Sequence, residues 1–304
     1  MYDLSEMRKD GVSVLCSTSV SVLRTPHSAL RTPHSSSVLT AQCCGRDTKR
    51  KTNMKKLMCA VAALSAGICM ADITSANIVG YQTVEVAKNK YHALGIQLTD
   101  VSASDFTISI QDLVKGSNPK GWSSLNARAD QIHVWNGMAW TKYFYHNTLL
   151  KFVKSGETEA STDKLKNGDT VFFLRSSMGA VGDTITLSGG VNLSTTPVSA
   201  AVAKNKYVFM SYPWPVEFAI ADFKNASSNP KGWTSLNARA DQVHRWTGMA
   251  WEKYYYNSTA GGYVKNGESE ITTDKLEVGE GVFFLRSSMG AAGDTITFTK
   301  PAGL

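Results

Sequence analysis

The sequence predicts an all-β protein made of two tandem small β-sandwich or β-barrel domains, each with at most one short helix. Two observations predict this fold. A long segment of the chain recurs in its second half. Many short alternating segments are separated by glycine-rich turns, whereas residues 110–114 alone have the spacing of a short helix.

The first 71 residues predict a leader rather than a folded domain. In residues 54–71, Lys55 and Lys56 precede an apolar run that ends at the small residue Ala71, which is the pattern of a signal peptide. The run is too short to span a bilayer, so we expect cleavage near Ala71, a secreted or periplasmic protein, and no membrane span in the mature chain. Residues 1–53 are expected to be a disordered extension or to precede the true start at Met54.

Without this leader, the chain has a different net charge and cysteine content. Residues 1–71 contain ten Lys and Arg and four Asp and Glu, a net charge of +6 out of +7 for the whole chain. The mature chain is therefore nearly neutral, and no nucleic-acid partner is expected. All five cysteines also lie in the leader, which excludes disulfides, thiol catalysis and cysteine metal sites from the mature chain.

An internal repeat sets the domain organisation. Residues 119–187 align without gaps with residues 230–298, at an offset of 111, and 47 of these 69 positions are identical. The segment AKNKY begins at Ala87 and again at Ala203, an offset of 116, so the second copy has lost five residues. We expect this deletion in a surface loop near residues 98–105. Copy 1 is then residues 76–190, and copy 2 is residues 191–304.

Strands other than the central hairpin are predicted from β-rich segments between turn residues. They are expected at residues 78–86, 90–97, 170–175 and 183–187. The glycine-rich segment 175–183 lies between two of them, and it lacks both a P-loop lysine and a Rossmann pattern. We interpret it as a turn that links two strands, and no cofactor is expected.

A β-hairpin is predicted at the centre of each copy. In copy 1, residues 130–135 and 138–145 alternate on either side of Asn136-Gly137, which favours a two-residue turn. That turn would place Trp135 opposite Met138, and His133 opposite Trp140. One face of the hairpin then carries the Trp, His and Met side chains, and the other face carries the tyrosines.

Differences between the copies predict which hairpin face is exposed. On the tyrosine face, copy 2 has Arg245 in place of Val134 and Glu252 in place of Thr141. Charged side chains favour water, so the tyrosine face is expected outside and the Trp, His and Met face in the core. Exposed aromatic rings suit the apolar faces of sugars. The candidate ligand-binding residues are therefore Tyr143, Tyr145, Tyr254 and Tyr256.

Catalytic and metal-binding patterns are not recognised in the mature chain. His133 and His244 correspond between the copies, but neither has the companion residues of a metal site or a catalytic triad, so they are interpreted as packed or edge histidines. Paired carboxylates are the alternative, because glycosidases need two of them. The acids with acidic counterparts 111 residues later are Asp130, Glu157, Glu159, Asp163, Asp169 and Asp183.

Three segments resemble those of a known group of proteins. They are SANIVGYQTVEV at residues 75–86, the hairpin WNGMAW at 135–140, and NGDTVFFLRSS at 167–177 with GDTITL at 182–187. They are similar to uncharacterised exported β-rich repeat proteins of verrucomicrobial and related bacteria. This resemblance covers most of residues 76–304 and implies export without implying an activity or catalytic residues.

These observations lead to a functional expectation. We expect a non-catalytic exported binding or structural protein, with a polysaccharide or a surface protein as partner. Two equivalent domains would raise the avidity for a repetitive polymer. A glycan-active enzyme that uses paired carboxylates, and a self-assembling surface component that pairs its edge strands, are the alternatives.

Overall fold

A computed structural model describes residues 79–115 and 117–304. The predicted leader, residues 1–53, and the predicted signal peptide, residues 54–71, lie outside the described residues. The described chain is all-β, as predicted, and it forms antiparallel sheets. None of its helices is long and apolar enough to cross a membrane.

Ten strands belong to copy 1. They are β1 (Val79–Glu85), β2 (Tyr91–Gly95), β3 (Leu98–Thr99), β4 (Thr107–Ser109), β5 (Gln131–Trp135), β6 (Trp140–His146), β7 (Lys151–Lys154), β8 (Lys164–Lys166), β9 (Thr170–Leu174) and β10 (Thr184–Val191). The four strands predicted outside the hairpin are confirmed as β1, β2, β9 and β10. Residues 110–114 form turns rather than the expected helix, because the Ser109 hydroxyl bonds the Asp112 amide and carboxylate and closes a local turn.

Copy 2 contains nine strands and the helical residues. The strands are β11 (Val198–Ala201), β12 (Tyr207–Ser211), β13 (Phe218–Ala219), β14 (Gln242–Trp246), β15 (Trp251–Asn257), β16 (Gly262–Lys265), β17 (Lys275–Leu276), β18 (Gly281–Leu285) and β19 (Thr295–Phe298). A 3-10 turn at Ile220–Asp222 leads into one short helix, α1 (Phe223–Ala226).

Each copy is built around a five-stranded antiparallel sheet. Its order is β2-β9-β5-β6-β7 in copy 1 and β12-β18-β14-β15-β16 in copy 2. Smaller sheets cover one face of it, and in each copy the first strand pairs with the last long strand, β1 with β10 and β11 with β19. A separate cluster of buried apolar side chains fills the space between the layers of each copy.

The central hairpin has a longer connection than predicted. Trp135 pairs with Trp140 and His133 with Lys142, so four residues, not two, form the turn. The Asn136 side chain accepts hydrogen bonds from the Met138 and Ala139 amides at 3.0 and 2.8 Å, and Gly137 takes a positive φ of 93°. This Asx turn excludes Met138 from the strand. Because the register error is two residues, the membership of each face is still as predicted.

The prediction of which hairpin face is exposed was wrong. Tyr143 and Tyr254 are buried in the apolar cores of the two copies. Tyr145 and Tyr256 are half-buried at the edges of the same cores, where Tyr145 packs edge-on against Phe152 with ring centroids 5.2 Å apart. These four tyrosines therefore do not form an exposed contact face.

The charged substitutions in copy 2 misled that prediction because they are paired. Arg245 donates a 2.6 Å hydrogen bond to Glu280, and Lys265 donates a 2.9 Å bond to Glu252. The network extends to Asp274, which accepts a 2.6 Å bond from the Tyr254 hydroxyl. Mutual neutralisation lets these charges lie at the margin of the core face, so their presence did not indicate free exposure to water.

The segment 175–183 links β9 to β10, which confirms the predicted turn. Its first residue, Arg175, is buried and donates to Asp130 at 2.6 Å and to Asp183. In copy 2, Arg286 makes the same two contacts with Asp241 and Asp294, at 2.7 and 2.6 Å. Each arginine thereby ties the glycine-rich turn to the start of the central hairpin.

Candidate functional site: an aromatic cleft between the copies

The two five-stranded sheets face each other. The hairpin face that carries the Trp, His and Met side chains, which was predicted to be core, lies between them. We call this the cleft face, which carries Trp135 in copy 1 and Trp246 in copy 2. A cavity of about 550 Å³, the aromatic cleft, lies between the two cleft faces. It is lined by Tyr91, His133, Trp135, Trp140, Lys142, Phe172, Tyr207, His244, Trp246, Trp251 and Phe283.

The cleft lies on an approximate twofold axis that relates the two copies. The Trp135 indole donates to the Tyr207 carbonyl at 3.0 Å, and the Trp246 indole donates to the Tyr91 carbonyl at 2.9 Å. Trp246 is the counterpart of Trp135, and Tyr207 is the counterpart of Tyr91. A reciprocal pair of this kind is the signature of an isologous interface, here formed within one chain.

Backbone hydrogen bonds repeat the same reciprocity. The Gly95 amide donates to the Gly279 carbonyl at 2.7 Å, and the Ser211 amide donates to the Gly168 carbonyl at 2.8 Å. Ser211 is the counterpart of Gly95 at an offset of 116, and Gly279 is the counterpart of Gly168 at an offset of 111. Each bond is therefore the counterpart of the other. The walls of the cleft are therefore fixed to each other by main-chain contacts and are already in place without a ligand.

Counterpart residues meet each other where the axis passes through the sheets. Gly95 lies against its counterpart Ser211, and a Cβ added at Gly95 would overlap the serine side chain. Gly281 likewise lies against its counterpart Thr170, and an added Cβ would overlap the threonine methyl group. At both positions one copy contributes glycine, which leaves room for the side chain of the other.

Aromatic rings fill the centre of this interface. Phe209 stacks on Phe283 with ring centroids 4.3 Å apart, and it lies 4.8 Å from Phe172 of the other copy. Trp140 packs edge-on against Phe283 at 5.9 Å. The tryptophans of each hairpin are neighbours, 5.2 Å apart for Trp135 and Trp140. The cleft thus presents rigid, flat apolar surfaces rather than mobile aliphatic ones.

The two histidines of the cleft are neutral. His133 bonds the Gln131 side-chain oxygen at 2.9 Å, while the Gln131 amide donates to the Asn126 carbonyl, which assigns the proton to the histidine Nε2 and leaves Nδ1 as an acceptor. Burial, together with the charge of Lys142, lowers the pKa of His133 to about 4. Burial and Lys253 lower the pKa of His244 to about 4 in the same way.

These pKa values predict a stability that falls in mild acid. The unfolded histidines titrate near 6.5 and bind protons before the folded ones do, so folding stability is fully present above pH 6.5 and is lost as pH falls toward 4. We expect each histidine to lower the free energy of unfolding by about 2 kcal/mol between pH 7 and pH 5, which is about 4 kcal/mol for the two. Urea unfolding at several pH values measures it, and an H133Q/H244Q variant should flatten the slope. An equal slope in that variant would contradict the assignment.

The carboxylates proposed for the enzymatic alternative lie outside the cleft. Asp130 and Asp183 bind Arg175, and Asp163 accepts bonds from Tyr143 and Lys154. In the remaining set, Asp169 caps a turn through the Lys166 amide, and Glu157 and Glu159 are exposed. The structure does not bring a pair of them to the cleft. Within the described range, no cluster of three or more His, Cys, Asp or Glu could hold a metal ion.

The sequence contains one signal for this site. Both faces of the central hairpin carry aromatic side chains, Tyr143 on one and Trp140 on the other, whereas a sheet with one solvated face alternates apolar with polar residues. A hairpin with two apolar faces needs a covering surface on each side. The core of the same copy covers the tyrosine face, and the other copy covers the cleft face.

The chain matches no protein-family model, and no curated protein matches it.

Proposed function

We propose that the protein is a non-catalytic, exported binding protein that holds a glycan chain in the aromatic cleft between its two copies. The observation that carries the proposal is the lining of the cleft. It combines tryptophan, tyrosine and phenylalanine rings with two neutral histidines and a lysine, and it contains no carboxylate. A cavity of about 550 Å³ is within the size range of small-molecule sites.

The chemistry of the lining suits sugar rings. A pyranose ring offers an apolar CH face that packs on an aromatic plane, and hydroxyl groups at its edge that need polar partners. His133 and His244 each have an acceptor nitrogen with no hydrogen-bond donor among the described residues, and Lys142 offers donors. The indole groups of Trp135 and Trp246 are occupied by backbone carbonyls, so they hold their rings in place instead of bonding a ligand.

Preorganisation supports binding by this cleft. Reciprocal hydrogen bonds fix both walls, so a ligand would not have to order them. The approximate twofold axis gives the two halves the same ring types, and a polymer with repeating units would meet similar surfaces in both. Successive units of a repeating polymer could therefore make similar contacts in the two halves of the cleft.

Export is part of the same proposal. The signal-peptide pattern of residues 54–71 supports it. Polysaccharides are abundant outside the cytoplasm, where such a binding protein would meet them. A glycan-active enzyme is disfavoured, because the carboxylates that it would need are bound to Arg175, bound to Lys154 or lie outside the cleft.

Replacing the tryptophans of the cleft tests the proposal. In affinity gel electrophoresis with a panel of soluble polysaccharides, we expect at least one polysaccharide to retard the protein. A W140A/W251A variant should lose most of that retardation, because stacking on each ring contributes about 1 kcal/mol or more. The matched control is Tyr81→Ala, which removes an aromatic ring that is 82% exposed and lies outside the cleft.

A second variant protects the test against misfolding. Trp140 contacts Phe209 and Phe283, so its removal could loosen the interface between the copies. Tyr91 and Tyr207 line the same cleft and are partly exposed, so a Y91A/Y207A variant should fold and bind weakly. Retardation that survives in both folded variants, or that is lost equally in Tyr81→Ala, would refute binding in the cleft.

A further inference from the structure

The cleft faces carry an unusual distribution of charge. Alternate residues of four strands in each copy point to the cleft face. These strands are β2, β9, β5 and β6 in copy 1 and β12, β18, β14 and β15 in copy 2. Lys142 and Lys253 are the formally charged side chains among these described positions, and no acid is among them. The two lysines are counterparts at an offset of 111, so they flank the approximate twofold axis.

Neither lysine forms an ion pair within the part of the chain that the structure describes. Among the described residues, no carboxylate lies within 4.0 Å of the Lys142 or Lys253 ammonium group. Lysines on the opposite face of the same sheets are paired, as shown by Lys154 with Asp163 at 3.2 Å and Lys265 with Glu252 at 2.9 Å. The charge of Lys142, which lines the cleft, and that of Lys253, which lies on the other cleft face beside the lining residue His244, are therefore available to a ligand.

Each of these two exposed lysines lies beside a buried histidine. Lys142 is paired across strands with His133, and Lys253 is paired with His244. Both histidines are buried among aromatic rings, with Tyr91 5.4 Å from His133 and Tyr207 5.5 Å from His244. The two lysine side chains are themselves exposed, so an anionic group of a ligand can reach them from solvent while its sugar rings pack on the neighbouring aromatic side chains. A neutral glycan would leave both ammonium groups without a counter-charge beside this surface.

We propose that the aromatic cleft selects glycan chains that carry anionic groups, carboxylate or sulfate, and that Lys142 and Lys253 each pair with one of these groups. The inference rests on the proposed function and adds the class of ligand to it. The rings hold the apolar faces of the sugars, and the lysines select chains that place negative charges on either side of the axis. Two separated charges favour a polymer over a single acidic sugar.

Matched ligands separate charge from sugar structure. Polygalacturonate and its fully methyl-esterified form share one chain and differ in charge, and dextran sulfate and dextran make the same comparison for sulfate. We expect the wild-type protein to bind the charged member of at least one pair about tenfold more tightly, in calorimetry at low salt. The preference should shrink as salt is raised to 0.5 M.

Matched variants assign that preference to the two lysines. A K142A/K253A variant should lose about tenfold in affinity for the charged chain, keep its affinity for the neutral chain, and no longer prefer the charged one. A K142R/K253R variant should retain the preference. The control K88A/K204A removes the same charge from two exposed counterpart lysines outside the cleft, and it should bind as the wild type does.

The outcomes distinguish this inference from the proposed function. Binding of neutral and charged chains with equal affinity, lost in W140A/W251A, would overturn the selection of anions and leave the glycan cleft standing. Equal loss in K88A/K204A and K142A/K253A, or equally tight binding of inorganic polyphosphate, would show a general polyanion effect and would also overturn it. Loss of the preference in K142A/K253A alone would support it.

Discussion

Replacing Arg286 with alanine is expected to lower the free energy of unfolding by about 3 to 5 kcal/mol. The Arg286 side chain is fully buried and donates to Asp241 at 2.7 Å, to Asp294 at 2.6 Å, and to the Asn229 carbonyl at 2.6 Å. Without the guanidinium group, the Asp241 carboxylate would remain buried with no cation beside it. The cost is that of an uncompensated buried charge.

Chemical denaturation monitored by tryptophan fluorescence measures this loss. The matched control is Arg239→Ala in the same copy, because Arg239 is exposed and its guanidinium group stacks on Trp233 at 4.5 Å. Exposed cation–π contacts contribute about 0.5 to 1 kcal/mol, so the control should be nearly as stable as the wild type. Similar losses in the two variants would mean that Arg286 does not neutralise a buried site.

Replacing Gly281 with threonine is expected to lower the free energy of unfolding by about 1 to 3 kcal/mol, because the new side chain would overlap Thr170 at the interface between the copies. The backbone at Gly281 does not require glycine, since its φ is not positive. The damage is therefore steric, and it should disappear when room is made on the other side of the axis.

The reciprocal double variant T170G/G281T tests the approximate symmetry directly. It moves the threonine from one counterpart position to the other, so it should recover to within about 1 kcal/mol of the wild type, and the two single changes should couple strongly in a double-mutant cycle. The Thr170 hydroxyl is buried without a hydrogen-bond partner in the described structure, so its removal leaves no partner unsatisfied. Additive effects of the two changes would contradict the meeting of Gly281 and Thr170 on one axis.

The sequence predicted most of the fold within each copy. The all-β class, four strands outside the hairpin and the turn at 175–183 followed from local patterns, because alternation and glycine-rich turns are local properties of the chain. The hairpin register was wrong by two residues because the Asn136 side chain bonds two following amides and extends the turn. That side-chain contact cannot be read from the Asn-Gly pair alone.

The candidate site could not be predicted, because it depends on how two distant segments meet. Trp135 and Tyr207 are 72 residues apart and belong to different copies, and no periodicity connects them. The charges of Arg245 and Glu252 indicated exposure, whereas their partners Glu280 and Lys265 come from other segments of the chain. Burial of paired charges is a tertiary property, so the choice between the two hairpin faces required the structure.

The central claim is that the cleft between the copies is a glycan-binding site, and one measurement tests it most directly. Calorimetric titration of the polysaccharide that retards the protein should give binding for the wild type and for Tyr81→Ala, and at least a tenfold loss for a folded W140A/W251A variant. Unchanged affinity in that variant, with melting temperatures that confirm its fold, would contradict the claim and leave the aromatic cleft as an interface that only holds the two copies together.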